Sequence, residues 1–174
     1  MTIYTIGHSN ISFESFVELL ERHGIQTLVD VRSAPYSRFV EHFNYDYLDI
    51  HLPRNNISYE YMGDKLGGRP RSVRYTKGDG TADYEAMAQD ETFIEGLDIL
   101  CRMADQSVVC LMCSEEDPAN CHRSKLVAAQ LALRGVDVMH ILSDGTLESE
   151  KKNAKRRLTI EERQIRLFAD NLSK

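Results

Sequence analysis

Val108–Gly135 reads VVCLMCSEEDPANCHRSKLVAAQLALRG. Val108–Cys113 is an apolar run of strand length, and a polar turn of Glu115, Glu116, Asp117 and Pro118 follows it. Beyond the turn, Leu126, Val127, Leu131 and Leu133 recur at roughly helical spacing, with Gly135 where a helix C-terminal cap is expected. The stretch therefore predicts strand, loop and helix. Asn120 is the expected N-cap, which puts Cys121, His122, Arg123 and Ser124 in the first helical turn. There, unpaired backbone N–H groups and the positive end of the helix dipole favour an anion. A thiol, an imidazole, a guanidinium and a hydroxyl crowd a turn that ordinarily favours acidic side chains, and this Cys-His-Arg motif marks the candidate site.

Working outward, Ile3–His8 is a short apolar strand ended by glycine. Ser12 caps a helix whose apolar face is Phe13, Phe16, Val17 and Leu20, Gly24 terminates it, and Thr27–Val31 is a second strand. A βαβ unit with parallel strands and a right-handed crossover is implied. Gly7, His8 and Ser9 then emerge at the same carboxyl edge of the sheet as Asp30 and Arg32, the edge along which open α/β sheets bind ligands. Asp30 and Arg32 either pair with each other or face a ligand.

Ser33–Phe39 reads as a loop over that edge, 44–52 as a short helix and Ile57–Met62 as a third strand. Gly63, Gly67 and Gly68 suggest a flexible connection without the spacing of a phosphate-binding loop. Residues 69–83 read as a long loop rich in Arg, Lys and Gly, and such loops are uncommon unless they serve a function or are disordered. A helical pattern in one or two pieces spans 84–104, and Val136–Leu142 is a further strand. The expected architecture is α/β: one three-layer domain over residues 1–146, with a largely parallel sheet of about five strands, flanking helices and a charged C-terminal helix. That tail, residues 147–174, is expected to pack on the same domain, with Ile160, Ile165, Leu167 and Phe168 as a modest apolar stripe beside the basic run Lys151–Arg157.

With 174 residues and 42% hydrophobic content, the chain can build one core without disulfides or metal. No charged-then-apolar leader opens it, and no apolar run approaches the ~18 residues of a membrane span, so a cytoplasmic protein with no membrane partner is expected. Cys101, Cys110, Cys113 and Cys121 lie close together in mostly apolar segments, unlike a secreted disulfide framework. A net charge of −6 argues against a surface devoted to non-specific nucleic-acid binding.

The pattern CSEEDPANCHR at Cys113–Arg123, with TIGHSN at Thr5–Asn10, DVRSAPYSRF at Asp30–Phe39 and YMGDKLGGRP at Tyr61–Pro70, resembles the DUF488 family of small proteins without an established activity. The resemblance runs from about Ile3 to Asp144. It implies a shared polar set of Gly7, His8, Ser9, Asp30, Arg32, Cys113, Glu115, Cys121, His122 and Arg123, and supplies no reaction.

The chemistry of these residues narrows the options. Cys110 and Cys113 have C-x-x-C spacing, but on a strand the two thiols point to opposite faces, so neither a redox pair nor a zinc knuckle is expected. Cys113 and Cys121 are each either a thiolate nucleophile or a buried packing residue. Cys113 and Arg123 are too far apart for a phosphatase-type loop. A zinc set of Cys113, Cys121, His122 and His8 is set aside because neighbours on a helix diverge by about 100°, and no metal is assigned. Arg123 is expected to meet either carboxylates such as Glu115 and Asp30 or the anion of a ligand.

The leading expectation is an enzyme of hydrolysis or group transfer on a phosphate-bearing or nucleobase substrate. In it Arg32 and Arg123 hold the anion with Gly7, Ser9 and Cys113 around it; His8 or His122 moves a proton, Glu115 or Asp30 orients that imidazole, and Cys121 is a candidate nucleophile. The alternative is a non-catalytic module that binds nucleotide or nucleic acid through the same arginines, the Arg69–Lys77 loop and the Lys151–Arg157 run.

Overall fold

The computed structural model describes residues 1–172; for Glu161 and residues 164–172 it describes the backbone alone. The strands are β1 (Thr2–Gly7), β2 (Thr27–Asp30), β3 (Ser58–Tyr61), β4 (Val109–Cys113), β5 (Asp137–Ile141) and β6 (Leu147–Ser149). They form one sheet in the order β3-β2-β4-β1-β5-β6, parallel throughout except for the antiparallel pairing of β5 with β6. β4 thus inserts between β1 and β2, and the ends of these three strands stand side by side.

Side-chain alternation along the strands divides the core into two layers. Ile3, Val29, Val109, Leu111, Cys113 and Val138 face one side, where they pack on α3 (Gly63–Leu66), α4 (Tyr84–Met87), α5 (Glu91–Ala104) and the helix over Arg123–Leu133. Ile6, Leu28, Cys110, Met112 and Ile141 face the other, against α1 (Phe13–Arg22) and α2 (Tyr45–His51). The three-layer α/β arrangement expected from sequence is the one observed, and Cys110 and Cys113 do lie on opposite faces. Ser12 Oγ accepts from Ser15 N at 3.1 Å to cap α1, whose Phe16 and Leu20 are fully buried at about 1.5–3 kcal/mol each.

The structure differs from expectation at two places. The sheet gains β6, so the segment after 146 begins as an edge strand and not as a helix. The last helix, α7 (Glu150–Leu172), starts immediately after it and is anchored by buried Glu150 and Asn153. The side chains of Ile165, Leu167 and Phe168 lie outside the described residues. The glycines after β3 are a packed segment in place of a flexible connection, since α3 begins at Gly63 and a Cβ on Gly68 would fall 2.4 Å from His122 Cγ. None of the described helices is long and apolar enough to cross a membrane.

Candidate functional site

The site forms where β1, β2 and β4 end. The loop after β4 closes with a 3-10 turn, Pro118–Asn120, which Asp117 caps through Ala119 N at 3.0 Å. That turn consumes Asn120, so the helix N-cap moves one residue on, to Cys121. Its backbone is extended (φ −110°, ψ 145°), its carbonyl accepts from Ser124 N and Lys125 N, and its Sγ accepts from Arg123 N at 3.4 Å. The helix that follows is π-helical over Arg123–Ala128 and α-helical (α6) over Ala129–Leu133.

With Cys121 outside the helix, the divergence of helical neighbours does not separate it from His122. Cys113, Glu115, Cys121 and His122 present ligand-type atoms that all lie within 4.8 Å of one another. Glu115 Oε2 is 2.9 Å from Cys113 Sγ and 3.0 Å from Cys121 Sγ, while His122 Nδ1 is 3.5 Å and 3.9 Å from the same sulfurs. His122 Nε2 donates to the carbonyl of Val31 at 3.0 Å. A carbonyl can only accept, so Nε2 carries a proton and Nδ1 is the nitrogen turned to the sulfurs.

The electrostatics follow from this packing. Burial opposes ionisation of Cys121, but hydrogen bonds from Cys113 and His122 and the charge of Arg123 outweigh it and bring the thiol down to about 5. Cys113 is pushed up by its hydrogen bond to Cys121 and by burial, so the pair holds one thiolate, on Cys121. His122 is raised: burial works against its charged form, but the Cys121 thiolate beside it prevails. Burial works against the Glu115 charge, but its contacts with the two cysteine side chains, with Cys113 as the thiol donor, outweigh it and hold the carboxyl below its ordinary value.

A second network adjoins the first. Asp30 grips Arg32 through Nε and Nη2, at 2.6 Å for the shortest contact, and Tyr59 donates to the same carboxylate at 2.8 Å. Arg32 Nη2 also donates to the carbonyl of Phe43, and its Nη1 lies 3.2 Å from His8 Nε2. His8 Nδ1 is held by the carbonyl of Ser9 and its ring stacks on Phe43 at 4.2 Å, so both ring nitrogens are engaged. Burial, and then the Arg32 charge, lower His8 to about 4 and keep it neutral. Asp30 and Arg32 do pair with each other, as one of the two sequence readings had it.

Arg123 is turned away from both networks. It is fully buried, donating to the backbone carbonyls of Glu115 and Glu116 and to Thr5 Oγ1 in place of the carboxylates expected. It fixes the back of the loop whose front carries the Glu115 side chain. Gly7 and Ser9 are likewise backbone elements: a Cβ on Gly7 would meet Glu115 O at 1.9 Å, and Ser9, at φ 47°, donates its N–H to Ser114 O.

A cavity of about 230 Å³ opens between the two networks, lined by Arg32, Arg69, Tyr84, Cys113, Glu115 and His122 together with Ser33, Ala34, Gly68, Ser114 and Asn120. The expected residues Arg32, Cys113, Glu115 and His122 therefore converge on it. His8, Asp30 and Cys121 stand behind that wall and position it, while Gly7, Ser9 and Arg123 shape its backbone. Arg69 and Tyr84 were missed as individual residues. Arg69 lay in a basic segment too long to be an ordinary connection, a usable signal, whereas nothing in the sequence singled out Tyr84.

No match was found among curated proteins or among solved structures. The family model described as "Domain of unknown function DUF488" matches residues 12–130, a span that contains every side chain lining the cavity, and the chain therefore belongs to the DUF488 family.

Proposed function

We propose that this cavity is the active site of an enzyme acting on a small anionic substrate, phosphate-bearing or nucleotide-like, by hydrolysis or group transfer. One observation carries the reading. A guanidinium has five N–H donors, and in Arg32 the Nε, both Nη2 and one Nη1 donors are engaged by Asp30, Phe43 and His8. The remaining Nη1–H has no acceptor among the described residues, on a side chain that is 5% exposed and lines the cavity. A buried, oriented charge with one donor to spare suits an oxyanion. Exposed Arg69 supplies a second positive charge at the mouth.

On the opposite wall, Cys113, Glu115 and His122 supply proton-transfer and nucleophilic groups that simple binding would not need. The non-catalytic alternative leans on the Lys151–Arg157 run. Three of its charges are already engaged: Arg156 bridges Asp117 and Glu148, Arg157 contacts Glu150, and Lys152 lies 4.0 Å from Glu148.

Calorimetric titration with inorganic phosphate and with nucleoside phosphates tests the reading. Binding is expected in the wild type and weakened about fivefold by Arg69→Ala, equivalent to about 1 kcal/mol for an exposed charge contact. Equal binding in both chains would remove the anion from this cavity. Affinity for a polyanion that collapses with salt, without small-anion binding, would favour the nucleic-acid module.

A further inference from the structure

The geometry points to a zinc site formed by Cys113 Sγ, Cys121 Sγ, His122 Nδ1 and one Glu115 oxygen. Four potential ligands within 4.8 Å of one another are a necessary condition, and three further features make this set more than a chance cluster. The first is spacing. Zinc bonds of 2.0–2.3 Å in a tetrahedron put neighbouring ligand atoms roughly 3.3–3.8 Å apart. Of the two sulfur-to-Nδ1 separations, 3.5 Å falls in that range and 3.9 Å just above it, and the two sulfur-to-carboxylate separations, 2.9 and 3.0 Å, need a few tenths of an ångström of expansion.

The second is the imidazole. Its Nε2–H is committed to the Val31 carbonyl, which leaves Nδ1 as the nitrogen aimed at the two sulfurs, the arrangement by which an outer hydrogen bond orients a metal-bound histidine. Gly68 packs against the other side of the ring and holds it in place. The third is the cysteine cap: the Arg123 backbone N–H donates to Cys121 Sγ, a contact suited to a sulfur that carries metal-bound negative charge. Two thiolates, an imidazole and a carboxylate in a tetrahedral frame favour zinc over magnesium or calcium. Binding displaces the Cys113 thiol proton and the proton His122 Nδ1 gives to the Cys121 thiolate, and forms two zinc–sulfur bonds and one zinc–nitrogen bond, with no change of oxidation state.

The ligands are unequal. Cys121 is fully buried and Cys113 nearly so, whereas Glu115 is exposed and lines the cavity. Glu115 is therefore the exchangeable ligand, and its departure would open one coordination position to the cavity while Cys113, Cys121 and His122 retain the ion.

The test uses the full chain, reduced and stripped by chelator, titrated with cobalt(II). One equivalent is expected to produce the sulfur-to-cobalt charge-transfer band and the visible bands of a tetrahedral site, and zinc should displace it one for one. Cys113→Ser and Cys121→Ser should each weaken binding at least tenfold, whereas Glu115→Ala should keep the charge-transfer band. Absence of that band in the wild type overturns the site, as does a band undiminished in both serine variants. X-ray absorption on the zinc-loaded wild type needs no variant: a first shell with two sulfurs is expected, and one without sulfur overturns the proposal. Phosphate binding is then measured in stripped and zinc-loaded chains. Zinc without anion would sink the active-site reading alone, and anion without zinc would sink the metal site alone.

Discussion

His122 Nε2 lies 3.0 Å from the carbonyl oxygen of Val31, a contact that ties the start of the helix after β4 to the residue that follows β2. Both partners are buried, so the carbonyl has no easy recourse to water if the ring is lost. Glutamine can place an amide N–H near the Nε2 position, and asparagine is too short to do so. His122→Gln is therefore expected to stay within about 1 kcal/mol of wild-type stability, whereas His122→Asn should lose about 1–3 kcal/mol by leaving the carbonyl unpaired. Urea denaturation of the two variants checks the order. Equal stabilities would mean that the histidine is not held through Nε2.

The fate of Arg123 separates architecture from chemistry. Its guanidinium is spent on the backbone of Glu115 and Glu116 and on Thr5, inside the protein. Replacing it with alanine removes a large buried side chain and leaves those acceptors without their donors, so Arg123→Ala should cost at least about 3 kcal/mol. Arg123→Lys keeps the charge but not the fork that spans two carbonyls, and should recover less than half of the loss. Arg69→Ala, at the exposed rim, should stay within about 0.5 kcal/mol of wild type. An Arg123→Ala chain as stable as the wild type would show the loop to be held by something else.

These two residues show what the sequence could and could not reveal. The order of strands and helices was legible because Ile3–His8, Thr27–Val31 and Val108–Cys113 are apolar runs punctuated by Gly24, Pro118 and Gly135. Parallel topology then forced Arg32, Cys113, Glu115 and His122 onto one edge. The role of Arg123 was not legible, because its partners are mainly main-chain carbonyls, and backbone positions leave no mark in composition or spacing. The placement of Cys121 was not legible for a local reason: Asp117 captures the turn before the helix, which puts Asn120 in that turn, leaves Cys121 outside the helix and changes where that thiol points. β6 escaped notice because Leu147–Ser149 is only three residues long and runs straight into a charged helix.

Glu150, at the start of α7, predicts how the protein responds to acid. Its Oε2 lies 2.7 Å from His140 Nε2, 2.8 Å from Ser124 Oγ and 3.2 Å from Asn153 Nδ2, while His140 Nδ1 is 2.7 Å from Thr5 Oγ1. This buried polar chain joins α7 to β1, β5 and the helix that carries the site. Burial works against the Glu150 charge, but the hydrogen bonds from His140, Ser124 and Asn153 outweigh it and hold the carboxyl below its ordinary value of 4.5. A depressed folded value means that the unfolded chain takes up the proton first as pH falls. The stabilisation from Glu150 is thus fully present well above pH 4.5 and is lost as pH drops from there through the folded value. Glu150→Gln should cost about 1.5–3 kcal/mol near neutral pH, the worth of hydrogen bonds to a charged group. The gap between glutamine variant and wild type should then narrow as the carboxyl protonates. Urea midpoints for both chains, measured from neutral to acid pH, check this, and a gap that stays constant or widens below pH 4.5 would show that the charge on Glu150 does not stabilise the docking of α7.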